Sequence, residues 1–130
     1  MFSNALLNAI QGKGWLYSVD FDNDTNPIGL ELETWSPAGE DFLVYLYGSN
    51  DDEILHSLYE YAEDFDPEEH ALFCVDMREA PGIRTLLRDA DKMAEELNSL
   101  YEHLSNAVKS KVYALYTGRA ITIQDQAVKG

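Results

Sequence analysis

The sequence predicts an α+β domain in which an antiparallel sheet of three to four strands is packed by an acidic helix and by a long C-terminal helix or helix pair. Three observations lead there. Apolar and polar residues alternate over residues 15–21 and again over 28–35, the period of a half-buried strand. Later the period lengthens: Ile83, Leu86, Ala90, Met93, Leu97, Leu100, Leu104 and Ala107 follow steps of three and four, the apolar seam of a helix. Between the two lies a stretch, residues 14–77, with 17 carboxylates and neither lysine nor arginine. With 130 residues, 45% of them apolar, the chain suits one domain, residues 1–130, with a substantial core.

Taken in order, Phe2, Leu6, Leu7 and Ile10 sit at helical spacing before Gly12-Lys13-Gly14, so residues 1–13 read as a short docking helix. Trp15, Tyr17, Val19 and Phe21 then mark one face of a first strand. Asn23-Asp24-Thr25-Asn26-Pro27 is turn-rich, and Ile28, Leu30, Leu32 and Thr34 line one face of a second strand, with Glu31, Glu33 and Trp35 on the other. Ser36-Pro37-Ala38-Gly39 turns the chain into a third strand at 41–47, with carboxylates on the solvated side. Asn50 is an N-cap candidate with a capping-box carboxylate at Glu53. The helix it opens has the stripe Ile54, Leu55, Leu58, Tyr61, Ala62 and Phe65, and Asp66-Pro67-Glu68-Glu69 ends it.

Residues 71–77 form a short apolar run read as a fourth, buried strand, with Cys74 a core thiol inside it. Pro81-Gly82 opens the C-terminal helical region, 82–118. Ser105-Asn106 is read as the cap of a separate last helix over 107–117 that folds back on the domain. The alternative is one unbroken helix that projects and pairs with a second copy as a homodimer. Residues 120–124 alternate weakly before a tail.

Charge divides the chain sharply. Residues 1–77 sum to −16, and the remainder to +1, giving the net −15. Such a field sets the sign of the partner surface, which should be basic. It disfavours anionic membranes and direct binding of nucleic acid, which needs cations against phosphates. Arg84, Arg88 and Lys92 form the one basic cluster, and their neighbours Asp89, Asp91, Glu95 and Glu96 point to ion pairing along a helix surface. No apolar run is long enough to span a bilayer, the N-terminus lacks the features of a secretory signal, and a single cysteine suits a reducing compartment. The expected location is cytoplasmic.

Asp20, Asp22, Asp24 and Glu31 match positions 1, 3, 5 and 12 of a calcium loop. Thr25, however, stands where that loop needs glycine, and the flanks read as strands. An acidic hairpin loop is the preferred reading, with no metal and no cofactor expected. His56, His70 and His103 show no His-x-His or His-Glu-x-x-His spacing, and no nucleophile with a base or phosphate loop is evident, so the chain is not expected to be an enzyme.

The acidic helix has a charge density with a physical counterpart. Fourteen residues from Asp51 to Asp64 carry six carboxylates, roughly one charge per 3.5 Å against 3.4 Å per phosphate along one strand of B-DNA. The hairpin Trp35-Ser36-Pro37-Ala38-Gly39-Glu40-Asp41-Phe42, followed by that helix and Phe65-Asp66-Pro67-Glu68-Glu69-His70, resembles small acidic proteins of phages and mobile elements in gut bacteria. In size and charge the chain also looks like anti-CRISPR and anti-restriction DNA mimics. That resemblance implies a non-enzymatic inhibitor presenting a phosphate-like surface to the basic nucleic-acid channel of a CRISPR or restriction nuclease. The expected partner-binding residues are Glu31, Glu33, Trp35, Glu40, Asp41, Asp51, Asp52, Glu53, Tyr59, Glu60, Glu63, Asp64, Asp66, Glu68 and Glu69, with Tyr45 and Tyr47 as further apolar anchors. Alternatives are an acidic interaction or dimerisation module unrelated to defence, and a calcium-binding domain.

Overall fold

The alternation over residues 15–47 is realised as a meander of three antiparallel strands flanked by helices. The computed structural model describes residues 1–77 and 82–117, in the order α1 (Asn4–Gly12), β1 (Leu16–Phe21), β2 (Pro27–Trp35), β3 (Asp41–Tyr47), α2 (Asp51–Asp64), α3 (Pro67–Met77) and α4 (Ile83–Thr117). The strand order is β1-β2-β3. Register aligns Leu16, Glu33 and Leu43 in one row and Ser18, Glu31 and Tyr45 in the next. Since side chains alternate across a strand, Leu30, Leu32, Phe42, Val44 and Leu46 turn inward, where each is almost wholly buried. Gly29 lies between Asp20 and Tyr47, and a Cβ there would sit 2.4 Å from the Leu46 carbonyl oxygen, so only glycine fits.

Helices cover the inward face. Ser3 caps α1 by accepting from Leu6 N, and Asn50 caps α2 by accepting from Glu53 N. Leu6 and Ile10 of α1, Ile54 and Leu58 of α2, and Met93, Leu97, Leu100 and Leu104 of α4 join the sheet residues in one core. Trp15 is buried at its edge, with its indole Nε1 donating to Glu96 Oε2 at 2.9 Å.

Two expectations are corrected. Residues 71–77 are helical, not a fourth strand: Asp66-Pro67 both ends α2 and starts α3, with Asp66 Oδ1 accepting from the backbone N–H groups of Glu68 and Glu69. Ala71 and Cys74 then fall on one side, buried with Leu86 and Ala90 of α4, while Leu72, Phe73 and Val75 are exposed. A short apolar run has no periodicity to separate strand from helix, and Asp66-Pro67 is at once a stop signal and a start signal.

The break at Ser105-Asn106 is also absent: α4 runs unbroken from Ile83 to Thr117. Leu100, Leu104 and Val108 stay buried through that point, and burial of these side chains outweighs the about 1 kcal/mol that a Ser or Asn cap offers. The apolar stripe down to Val108 is therefore used within the domain rather than left for a second copy. Pro81, residues 118–119 and the weak alternation at 120–124 lie outside the described residues.

Candidate partner-binding face

The outward face of the sheet is where charge and apolar surface meet. Leu16, Trp35, Leu43, Tyr45 and Tyr47 are all exposed there, Trp35 and Tyr47 by 65% and 74%. Among them stand Asp20, Glu31, Glu33 and Asp41. Register places Glu31 diagonal to Asp20, and Glu33 diagonal to Asp41, so two like-charged pairs share one surface, an arrangement that disfavours pairing of the strands. Glu31 is held above the ordinary carboxylate range by a hydrogen bond with Asp20 and then by repulsion from its charge. Asp41 raises Glu33 in the same way, by hydrogen bond first and charge second.

The acidic surface continues past the β3 edge onto α2. Tyr47 N donates to Ser57 Oγ, and Tyr47 shares a cleft of about 560 Å³ with Asp52, Glu53, His56 and Glu60. Asp52, Glu60, Glu63 and Asp64 are exposed, as are Glu68 and Glu69 on α3. Tyr59 is 47% exposed and tilts against Tyr101 with ring centroids 5.4 Å apart. Among the described residues no lysine or arginine nitrogen lies within 4.0 Å of a carboxylate oxygen. The ion-pair contacts among the described residues are made by histidine, His56 with Glu60 at 3.2 Å and His70 with Glu40 at 2.9 Å. The expected pairing of Arg84, Arg88 and Lys92 along α4 is thus not formed. Asp89 instead turns inward, accepting from Ser36 Oγ and from Ala38 N, and so docks the β2–β3 hairpin on α4.

Several of the expected partner residues are engaged in holding the fold. Asp51 clamps the N-terminus by accepting from Ser3 N at 2.9 Å and Ser3 Oγ at 2.6 Å. Glu53 reaches back to Ser49 N, and Asp66 caps α3. In the calcium-like loop Asp22 accepts from Asn26 N and, with smaller effect, from Asp24 N, backbone hydrogen bonds that hold its carboxyl below the usual range. The four carboxylates of that match do not converge: Asp20 and Glu31 face each other across strands, while Asp22 serves its own turn.

Glu40 departs furthest from expectation. It leaves the hairpin on the side facing α3, where His70 Nε2 lies 2.9 Å from its Oε2 and Cys74 Sγ lies 3.5 Å from the same oxygen. Its charge, after burial, raises the Tyr61 phenol above its usual value. Glu40, His70 and Cys74 are the described residues whose metal-ligating atoms gather within 4.8 Å of one another. Reading 71–77 as a strand concealed this group, since four residues along a strand stand about 13 Å apart, whereas one helical turn brings His70 and Cys74 together. No protein-family model, curated protein or solved structure matches the chain.

Proposed function

We propose that this protein is a non-enzymatic inhibitor that occupies the basic nucleic-acid channel of a defence nuclease of the CRISPR or restriction type. One observation carries the reading: the carboxylates of the open sheet face and of α2 have no lysine or arginine partner among the described residues, and they surround exposed aromatic and aliphatic side chains. An ordinary soluble surface intersperses both signs of charge. Here the carboxylates supply the field that a phosphate backbone would supply, while Trp35, Tyr45 and Tyr47 offer flat apolar area of the kind that anchors interfaces and faces arginine guanidinium groups favourably. Glu40 and Asp51 support the fold behind this surface, while Glu53 and Asp66 brace the starts of α2 and α3 at its exposed rim.

Association should be fast and steeply weakened by salt, because complementary fields steer encounter and are screened beyond about 8 Å at 0.15 M ionic strength. Stopped-flow binding to nucleases with basic channels, repeated across a salt series, tests this. A falling association rate, with DNA competing for the channel, supports the reading; a rate that stays flat contradicts it.

A further inference from the structure

Glu40 comes from the β2–β3 hairpin, whereas His70 and Cys74 lie one turn apart on α3. Their ligand atoms nevertheless meet at one point: Glu40 Oε2 is 2.9 Å from His70 Nε2 and 3.5 Å from Cys74 Sγ, and Sγ is 3.6 Å from Nε2. We propose that Glu40, His70 and Cys74 form a binding site for a thiophilic divalent cation of the Zn²⁺ class.

The distances support this in detail. A tetrahedral ion bonded at about 2.3 Å to sulfur, 2.0–2.1 Å to imidazole and 2.0–2.2 Å to carboxylate has ligand-to-ligand edges of about 3.5 Å from sulfur and about 3.3 Å from nitrogen to oxygen. Both sulfur edges are already at that length. The nitrogen–oxygen edge is shorter, at hydrogen-bond length, and needs only a small opening. As the ion binds, the Cys74 proton passes to solvent, and the His70 Nε2 proton that faces Glu40 is lost or moves to Nδ1, so that Nε2 offers its lone pair. Thiolate and carboxylate together then neutralise the ion, and neutral imidazole completes a three-ligand set with one position left for water. Sulfur and imidazole donors favour Zn²⁺ over the hard ions Ca²⁺ and Mg²⁺.

The surroundings hold these ligands in place. Glu40 N donates to Ser36 Oγ, which in turn donates to the buried Asp89. Phe42 and Phe65 flank the His70 ring with centroids 5.3 and 5.2 Å away. Cys74 packs in the cluster with Ala71, Leu86 and Ala90. His70 also lines a cleft of about 530 Å³ with Tyr61, Phe65 and Phe73, which gives an ion a way in. A cysteine-protease-like relay is a poorer account of the group, because thiol and carboxylate both face the same ring nitrogen, whereas a relay uses one nitrogen for each. The ion would clamp α3 to the hairpin, whatever the acidic face binds.

The test is a Co²⁺ titration of the chelator-treated full chain, followed by absorption. The expected result is one Co²⁺ per chain with a thiolate-to-cobalt charge-transfer band and tetrahedral d–d bands, displaced by one equivalent of Zn²⁺. Cys74→Ser should abolish the charge-transfer band. Glu40→Gln should weaken affinity by more than the roughly 10- to 100-fold that outer-sphere losses cost. Zn²⁺ should raise the melting temperature of the unaltered chain, since an ion that binds only the folded state stabilises it. Co²⁺ taken up without a sulfur band, or not at all, would overturn the proposal on the unaltered protein alone, even if a variant failed to fold. Equal Zn²⁺ affinity in a folded Cys74→Ser variant would overturn it as well.

Discussion

Glu33 and Asp41 on the outer face of the β2–β3 hairpin, and Glu40 and Asp89 behind it, carry the same charge in opposite surroundings. Asp89 is buried and accepts from Ser36 and Ala38, and Glu40 accepts from His70. Glu33 and Asp41, by contrast, have each other. Carboxylates that serve the fold are supplied with donors, and those on the open face are left to repel. A chain whose acidity served solubility alone would gain by separating such pairs. Their concentration around exposed Trp35, Leu43 and Tyr45 points instead to a surface whose counter-charge belongs to another molecule.

The sharpest way to break the comparison is to remove an inner carboxylate. Asp89→Ala leaves the Ser36 hydroxyl and the Ala38 N–H without their acceptor in a buried place, and unsatisfied groups cost about 1 to 3 kcal/mol each. Denaturant unfolding should register a loss of about 3 kcal/mol. A loss below about 0.5 kcal/mol, the scale of an ordinary surface change, would mean that the inner and outer carboxylates do not differ as described.

On α2, Glu60, Glu63 and Asp64 lie toward the C-terminal end, where the helix dipole disfavours negative charge, and no basic residue occupies the last turn. The triple change Glu60→Gln, Glu63→Gln, Asp64→Asn should stabilise the isolated protein by about 1 to 2 kcal/mol. The His56 contact with Glu60, being solvent-exposed, offsets little of this. Thermal unfolding checks the sign: a lower melting temperature would assign these carboxylates to the fold. Thr25 sits at φ +65, a left-handed conformation that costs a residue with a Cβ about 1 to 2 kcal/mol. Thr25→Gly should therefore gain about 1 kcal/mol at most, after the added flexibility of the unfolded glycine is deducted.

The smallest effect is the most diagnostic for the open face. Folding raises the proton affinity of Glu31 and Glu33 above the ordinary 4.5. Their contribution to stability is therefore fully present below that value and is lost as pH rises through the raised folded values. Asp22 works in the opposite sense but only at more acid pH, because its folded value lies below 3.8. The melting temperature should fall modestly as pH rises from 4.5 through the raised folded values, and Glu31→Gln with Glu33→Gln should flatten that slope. An unchanged slope in the double variant would place the titration elsewhere.

Much of this was legible in the sequence because period and burial agree. Leu30 and Leu32 against Glu31 and Glu33, the Asn50 cap, and the Ile54–Leu58 stripe were all readable from spacing alone. What spacing cannot reveal is long-range pairing. Alternation sets Glu40 on the side of Phe42 and Asp41 on the other, but nothing local says that Glu40 meets α3; the docking of the hairpin by Asp89 and the helicity of 71–77 decide that. In the same way His70 and Cys74 come together only once 71–77 is helical, and that choice depends on the docking of Ala71 and Cys74 against Leu86 and Ala90 of α4.

The claim that the open face is built for a basic partner is tested most directly by nuclease inhibition. The unaltered protein and the triple variant Glu31→Gln, Glu33→Gln, Asp41→Asn would be titrated against a panel of restriction and CRISPR nucleases, with circular dichroism confirming that both are folded. The account predicts that at least one nuclease is inhibited competitively with its DNA and that the folded triple variant inhibits it at least about tenfold less well, the 1.4 kcal/mol that a few lost charge contacts readily supply. Inhibition by the triple variant equal to that of the unaltered protein, or no inhibition of any nuclease at low salt, would contradict it.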